Sequence, residues 1–167
     1  MKKIIAIYGG ILGLILCVNM FYMVHLCYSN PDFKSNDVLG YAIMVLVFSL
    51  IFFGVRNYRN SILEGKISFG KAFETGLIIA LVASVIYVVV WLFYYYLFVP
   101  DYLDHYINHV IRQTPAEKLS AVQVQMEDLR KMYQTPVSVA LVTFLEVFPV
   151  GLIVALISAA VLRKKMV

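Results

Sequence analysis

Four long apolar segments constrain this chain more than any other feature of its sequence. They cover residues 4–28, 38–55, 72–98 and 137–162. A helix needs about 20 predominantly apolar residues to cross the hydrocarbon core of a bilayer, and each segment approaches or exceeds that length. The sequence therefore predicts an all-α polytopic membrane protein with four transmembrane helices, folded as a single membrane domain over residues 1–167.

The composition excludes the main soluble classes. Of the 167 residues, 62% are apolar and 14% are charged, and the mean hydropathy is +0.83, whereas a soluble domain usually carries about 25% charged residues. Two cysteines are too few for a disulfide scaffold. The net charge of +4 does not indicate a nucleic acid partner, because the basic residues cluster at the ends of the apolar segments.

The distribution of lysine and arginine predicts the orientation in the membrane. The N-terminus, the loop between the second and third segments, and the C-terminus carry Lys2, Lys3, Arg56, Arg59, Lys66, Lys71, Arg163, Lys164 and Lys165. The other two loops carry Lys34, Arg112, Lys118, Arg130 and Lys131. Because short cytoplasmic loops are enriched in basic residues, both termini are predicted to lie in the cytoplasm.

Small residues four positions apart mark the faces on which membrane helices approach closely. They are Gly9 and Gly13 in the first segment, Gly76 and Ala80 in the third, and Gly151, Ala155 and Ala159 in the fourth. Two interpretations are open: these faces pack the bundle within one chain, which we favour, or they form the interface of a homo-oligomer.

The loop between the third and fourth segments is too long to be structureless in a compact protein. Residues 101–113 have a helical apolar pattern, and Thr114, Pro115 and Glu117 resemble a capping box that begins a second helix. The apolar positions of this second helix are Leu119, Val122, Met126, Leu129 and Tyr133. The pattern predicts an extracytoplasmic amphipathic helical hairpin over about residues 101–134.

The apolar stripe of the hairpin has three possible contacts. It packs within the hairpin as a cap, which we favour, docks on a protein partner, or lies on the lipid headgroups.

Glu146 is the most informative side chain for function. It lies nine residues into the fourth segment, roughly 14 Å along the helix from the outer boundary. An ionisable side chain at that depth is a functional-site hypothesis by default. The same arithmetic predicts a polar cluster of Glu146 with Asn19, Ser49, Ser84 and Tyr87. Three roles remain open for this cluster: hydrogen bonds that join the helices, which we favour, ion coupling, and contact with a ligand or lipid headgroup.

His105 and His109 are a weak candidate for a metal site. Their spacing, with Asp101 one turn earlier, places three potential ligands on one helix face. That face is the polar one, so a solvated surface is the favoured interpretation. No catalytic constellation or phosphate-binding glycine loop is present in the sequence, and we expect a non-enzymatic protein without a cofactor.

Three strings of residues carry a family resemblance. They are Gly54-Val-Arg56-Asn-Tyr-Arg59, Lys66-Ile-Ser-Phe-Gly-Lys-Ala-Phe73, and Phe144-Leu-Glu146-Val-Phe-Pro149-Val-Gly151. With them, essentially the whole chain resembles the bacterial membrane proteins grouped as domain of unknown function family 4199. The resemblance implies a four-span protein of the bacterial inner membrane, and it implies no activity.

Two functional hypotheses follow. The first is a non-enzymatic interaction or accessory protein that engages a protein or lipid partner. The second is a small transporter or ion-coupled subunit organised around Glu146.

Overall fold

The computed structural model describes residues 1–30 and 37–164, without the side chain of Asp37. The helices are α1 (Lys2–Ser29), α2 (Asp37–Phe48), α3 (Leu50–Ser61), α4 (Phe69–Leu97), α5 (Tyr102–Gln113), α6 (Leu119–Met132) and α7 (Pro136–Leu162), with a 3₁₀ turn at Ala116–Lys118. Lys34 and Lys165, two of the basic residues used to predict orientation, lie outside the described residues.

Four helical stretches are long and apolar enough to cross a membrane. They are Lys2–Ser29, Val38–Ser61, Phe69–Leu97 and Pro136–Leu162. The fold-class prediction of four transmembrane helices with a helical hairpin between the third and fourth is therefore confirmed. We call the side of the bundle that carries α5 and α6 the hairpin end, and the side that carries the described chain termini the terminal end.

The second span differs from its prediction in two ways. It continues to Ser61 rather than ending at residue 55, because α3 goes on as a helix past the polar residues that follow the apolar segment. It is also interrupted at Ser49, whose Oγ donates a hydrogen bond to the carbonyl oxygen of Leu46 at 2.5 Å. A serine that bonds back to the preceding turn often bends a helix, and the α-helical hydrogen-bond pattern is interrupted at this residue although its backbone stays helical.

The small residues lie where helices of the same chain touch. α4 is the central helix. On one side of it, Gly9 of α1 faces Val82 and Gly13 faces Ile86. A Cβ added to either glycine would come within 2.9 Å of the facing side chain. On the other side of α4, a Cβ added to Gly151 of α7 would lie 2.8 Å from Phe48 and 2.9 Å from Ala80.

The contact between α4 and α7 continues toward the terminal end. A Cβ at Gly76 would lie 3.1 Å from the Cβ of Ala155, and Ala155 and Ala159 are fully buried. Gly54 of α3, which the sequence did not indicate, has the same role against Ile79 and Tyr8.

The terminal end of the bundle is closed. Phe48, Ile51, Val55 and Ile79 are completely buried in its core. The backbone N–H of Lys164 donates to the carbonyl oxygen of Ile67 at 2.9 Å, which joins the C-terminal segment to the loop before α4.

The start of α6 is formed differently from its prediction. The expected capping box at Thr114 and Glu117 is wrong: Thr114 Oγ1 instead donates to the carbonyl oxygen of Val110 at 2.7 Å and closes the last turn of α5. The 3₁₀ turn then leads into α6 without a side-chain cap. A capping box does form at the start of α7, between Thr135 and Ser138.

We expect Gly151→Val to destabilise the protein by about 1–3 kcal/mol, because the added atoms have no room between Phe48 and Ala80. Gly10→Val is the matched control, since a Cβ at Gly10 meets nothing within 4 Å. Denaturation in mixed detergent micelles measures the free energy of unfolding. Equal stabilities for the two variants would contradict this packing.

Candidate ligand-binding cavity

The hairpin-end half of α2 stands away from the bundle. None of residues 38–46 is buried, whereas Val47 and Phe48 are. Gly40 contributes no side chain to the resulting space, which lies between α1, α2, α4, α7 and the hairpin helices. The described part of the bundle is thus tightly packed at the terminal end and contains a space beside α2 at the hairpin end.

This space forms two adjoining compartments, of about 400 and 190 Å³, which we call together the tyrosine cavity. Both compartments are lined by Met23, Gly40, Met44, Tyr102, Tyr133 and Glu146. The larger one adds Tyr41, Leu103, Tyr106, Leu129 and Val142. The smaller one adds Asn19, Met20, Val24, Ile43, Tyr87, Trp91 and Thr143.

Glu146 lies where the two compartments meet. It is ten residues from Pro136 along α7, about 15 Å of helix rise, and much of its side chain is exposed to the cavity. Among the described residues that line the cavity, it is the only Asp, Glu, Lys, Arg or His. The described lining of the cavity therefore contains one carboxyl group and no basic side chain.

Two of the four side chains that were predicted to surround Glu146 line the tyrosine cavity with it. Asn19 and Tyr87 line the smaller compartment together with Glu146, and Thr143, which the sequence did not indicate, joins them there. Ser84 is fully buried and does not line either compartment, and its Oγ has no hydrogen-bond partner among the described residues.

The prediction was wrong for Ser49. This residue lines a separate apolar groove between the second span and α7, and its hydroxyl bonds to its own helix. Counting residues from the boundary gives the depth of a side chain but not the direction in which it points from the helix axis. That missing angle explains the error.

The aromatic walls are the feature that sequence reasoning missed. Trp91 was not predicted to lie near Glu146, yet it lines the smaller compartment. Its ring lies 5.3 Å from that of Tyr102 between centroids, at an angle of 84°, so the two rings form perpendicular walls. Tyr102 and Tyr106 are four residues apart on α5, and this spacing was the available signal for a shared face.

The hairpin covers the cavity. Leu129 and Tyr133 line it, and both pack with Met126 against a buried cluster that includes Trp91 and Tyr95. Leu119 and Val122, earlier on the same stripe, are half-buried. These contacts lie within the chain, but they join α6 to α4 as well as to α5, so the stripe does not pack within the hairpin alone.

Polar contacts join the hairpin to α1. The Tyr28 hydroxyl donates to Asp101 Oδ1 at 2.6 Å, and His105 Nε2 lies 3.1 Å from the other oxygen of that carboxylate. The Nε2–H of His109 donates to the carbonyl oxygen of Cys27 at 2.9 Å. The two histidines therefore have different partners. No group of three His, Cys, Asp or Glu side chains in the described part of the chain could hold a metal ion.

Three described groups outside the membrane spans, Tyr102, Tyr133 and Asp101, have shifted pKa values, and burial is the main cause of the raised pKa of Tyr102. Burial, followed by the nearby Glu146 carboxylate, raises the pKa of Tyr133 to about 12 despite contacts with Thr143 and Trp91. Tyr133 therefore keeps its proton at neutral pH. The hydrogen bond from Tyr28 is the largest contribution to a lowered pKa of Asp101, because it stabilises the carboxylate.

These features define a multi-pass helical membrane protein with a cavity beneath a helical hairpin. Residues 7–164 match the family described as protein of unknown function (DUF4199). The chain belongs to this family, as its resemblance implied. Comparisons with curated proteins and with solved structures found no match.

We expect Asp101→Ala to loosen the hairpin, because it removes the acceptor for both Tyr28 and His105. The measurement is amide hydrogen exchange of Tyr102–Gln113, compared between variant and wild type at each pH. A lowered carboxyl pKa means that the contact is present above the ordinary value of about 3.9 and is lost as the pH falls through the lower folded-state value. The two proteins should therefore differ at neutral pH and converge only well below pH 3.9.

Asp128→Ala is the control for this experiment. Asp128 pairs with Lys131 on the exposed surface of α6, so its loss should leave exchange in α5 unchanged. Equal exchange in Asp101→Ala and wild type at neutral pH would show that this contact does not hold the hairpin.

Proposed function

We propose that this protein is a non-enzymatic accessory protein of the bacterial inner membrane that binds an amphiphilic lipid along the seam between the second span and α7. The observation that supports the proposal most strongly is the pairing of two spaces on this seam. The tyrosine cavity, which contains Glu146, lies at the hairpin end, between residues such as Met44 and Val142. An apolar groove of about 340 Å³ lies further along the same two helices.

The groove has the chemistry of a site for an acyl chain. It is lined by Val45, Ser49, Phe52, Phe53, Val154, Ile157 and Ser158. The Ser49 hydroxyl is already bonded to Leu46, and Ser158 is almost fully buried. Along α7 the Phe48–Gly151 contact lies between Glu146 of the cavity and Val154 of the groove, whereas on the second span Val45 of the groove directly follows Met44 of the cavity. An amphiphile with its polar group beneath the hairpin and its chain along this seam matches both spaces.

Charge supports the proposed orientation. Among the described residues, Lys2, Lys3, Arg59, Lys66 and Lys164 belong to the terminal end, and the rule that places basic residues on the cytoplasmic side puts both termini there. The hairpin would then lie on the extracytoplasmic face, and the tyrosine cavity would receive its ligand from the outer leaflet.

The second hypothesis, an ion-coupled transporter around Glu146, has less support. Such a protein needs a route from the cavity to the terminal end. In the described residues, that direction is filled by the Phe48–Gly151 and Gly76–Ala155 contacts and by the core beneath them. A site that binds its ligand from one side of the membrane fits this geometry better than a transport route through the bundle does.

We expect Gly40→Phe to weaken lipid binding by at least about tenfold, or ~1.4 kcal/mol, because the new ring occupies space in both compartments. A Cβ at Gly40 meets no atom within 4 Å, so the new side chain has room where it leaves the backbone. Gly10→Phe is the matched control on α1, at a glycine that is equally open and lines neither compartment. Native mass spectrometry with a titrated short-chain phospholipid measures the affinity. Equal binding by the two variants and wild type would contradict the proposal.

A further inference from the structure

We infer that the terminal end of the bundle carries a binding site for the headgroup of an anionic phospholipid. The juxtaposition that carries this inference is a group of basic residues from three segments, which contacts between distant parts of the chain bring together. We call this group the terminal cluster, and its members are Arg56, Arg59, Lys66, Arg163 and Lys164. The site is separate from the tyrosine cavity and does not rest on the proposed function.

Two hydrogen bonds hold the end of α7 between α3 and the loop before α4. Arg59 Nη1 donates to the carbonyl oxygen of Leu162 at 3.3 Å, and the residue after Leu162 is another arginine. The backbone N–H of Lys164 donates to the carbonyl oxygen of Ile67 at 2.9 Å, and the residue before Ile67 is a lysine. The C-terminus of a helix carries only about half a negative charge, so the end of α7 does not balance the five cations gathered there.

The terminal cluster has few acidic partners. Among the described residues, only Arg59 of the cluster forms side-chain hydrogen bonds, and its acceptors are neutral oxygens. The described acids at this end of the bundle are Glu64 and Glu74, and Glu74 pairs with Lys71 at 3.0 Å. The described chain therefore leaves most of the positive charge of the cluster to be balanced from outside.

Arg56 lies at the level of the lipid headgroups. It follows Phe53 by three residues, about 4.5 Å of helix rise, so the two side chains lie on the same side of α3. Both are exposed on the surface of the bundle. Exposed apolar surface that gives way to arginine marks the boundary of the hydrocarbon core, where the guanidinium extends toward the headgroups. A guanidinium binds a phosphate group through two parallel hydrogen bonds.

The net charge of the headgroup decides which phospholipid fits best. A zwitterionic headgroup has an ammonium beside its phosphate, and a group of cations repels it, whereas an anionic headgroup carries no such cation. Clusters of about four to eight basic residues next to a membrane span are typical of sites for anionic lipids. The ligand is therefore an anionic phospholipid of the leaflet at the terminal end, which is the inner leaflet in the proposed orientation.

Native mass spectrometry of the full-length protein tests this inference. The probes are dioleoyl phosphatidylglycerol and dioleoyl phosphatidylcholine, which have the same tails and differ in net charge. We expect wild type to bind phosphatidylglycerol at least about fivefold more tightly, the contribution of one basic side chain at an anionic membrane surface. Equal affinities would overturn the inference.

Substitutions distinguish a defined site from a diffuse effect of charge. Arg56→Gln removes no hydrogen bond within the described chain and should weaken phosphatidylglycerol binding about fivefold, with phosphatidylcholine binding unchanged. Arg56→Lys keeps the charge and should retain most of the preference. Lys2→Gln is the matched control, because it makes the same change in charge at an exposed residue of the terminal end outside the cluster. Equal losses in Lys2→Gln and Arg56→Gln would overturn the assignment of a defined site.

Three further measurements complete the test. The fluorescence of Trp91, which is buried at the hairpin end, checks that each variant is folded. Inorganic phosphate in molar excess should not displace phosphatidylglycerol, and displacement would show that the cluster is a site for free phosphate instead. Gly40→Phe alters only the tyrosine cavity and should keep the preference for phosphatidylglycerol. Loss of the preference in that variant would place the lipid in the tyrosine cavity and overturn the inference, with the proposed function left intact.

Discussion

The close contact between α4 and α7 determines where this bundle is filled and where it is open. Gly76, Ala80, Gly151 and Ala155 bring the two helices together, and Phe48 of α2 packs directly against Gly151. Lipid tails are as apolar as the side chains of the spans, so contacts of this kind, rather than the hydrophobic effect, join helices within a bilayer. Toward the hairpin end α4 and α7 share a second buried cluster that includes Trp91, Tyr95 and Val139, whereas α2 no longer has buried residues.

The side chains that line the tyrosine cavity determine the chemistry of the hairpin-end half of the bundle. A carboxyl group about 15 Å along α7 needs surroundings that stabilise it, and the described walls supply amide, hydroxyl and aromatic groups rather than a basic side chain. The hairpin completes these walls with Tyr102, Tyr106 and Tyr133. Its connection to α1 through Asp101 and Tyr28 makes it part of the site rather than a separate appendage. In the proposed function, Glu146 therefore acts in combination with the hairpin above it.

Much of the architecture follows from the sequence because hydropathy and helical spacing are local signals. Four spans and two hairpin helices could be predicted in this way, and Gly9, Gly13 and Gly151 could be identified as contact candidates from their spacing. The break at Ser49 could not, because it depends on one hydrogen bond within an otherwise apolar segment.

The site was accessible to prediction only in part, since depth is encoded in sequence position but rotation about each helix axis is not. Glu146, Asn19 and Tyr87 share a depth and a cavity. Ser49 was expected at the same depth but lies in the apolar groove. The contributions of Trp91 and Tyr102 come from different elements and meet only in the folded chain.

The most direct test of this account is the accessibility of a thiol in the cavity wall. Val142 lines the larger compartment, and the native Cys17 and Cys27 are buried, so Val142→Cys can be probed with charged, membrane-impermeant methanethiosulfonates. We predict modification from the extracytoplasmic side only, and faster by the trimethylammonium reagent than by the sulfonate reagent of similar size. Modification from the cytoplasmic side, or equal rates for the two charges, would contradict a one-sided cavity with a carboxyl group at its centre.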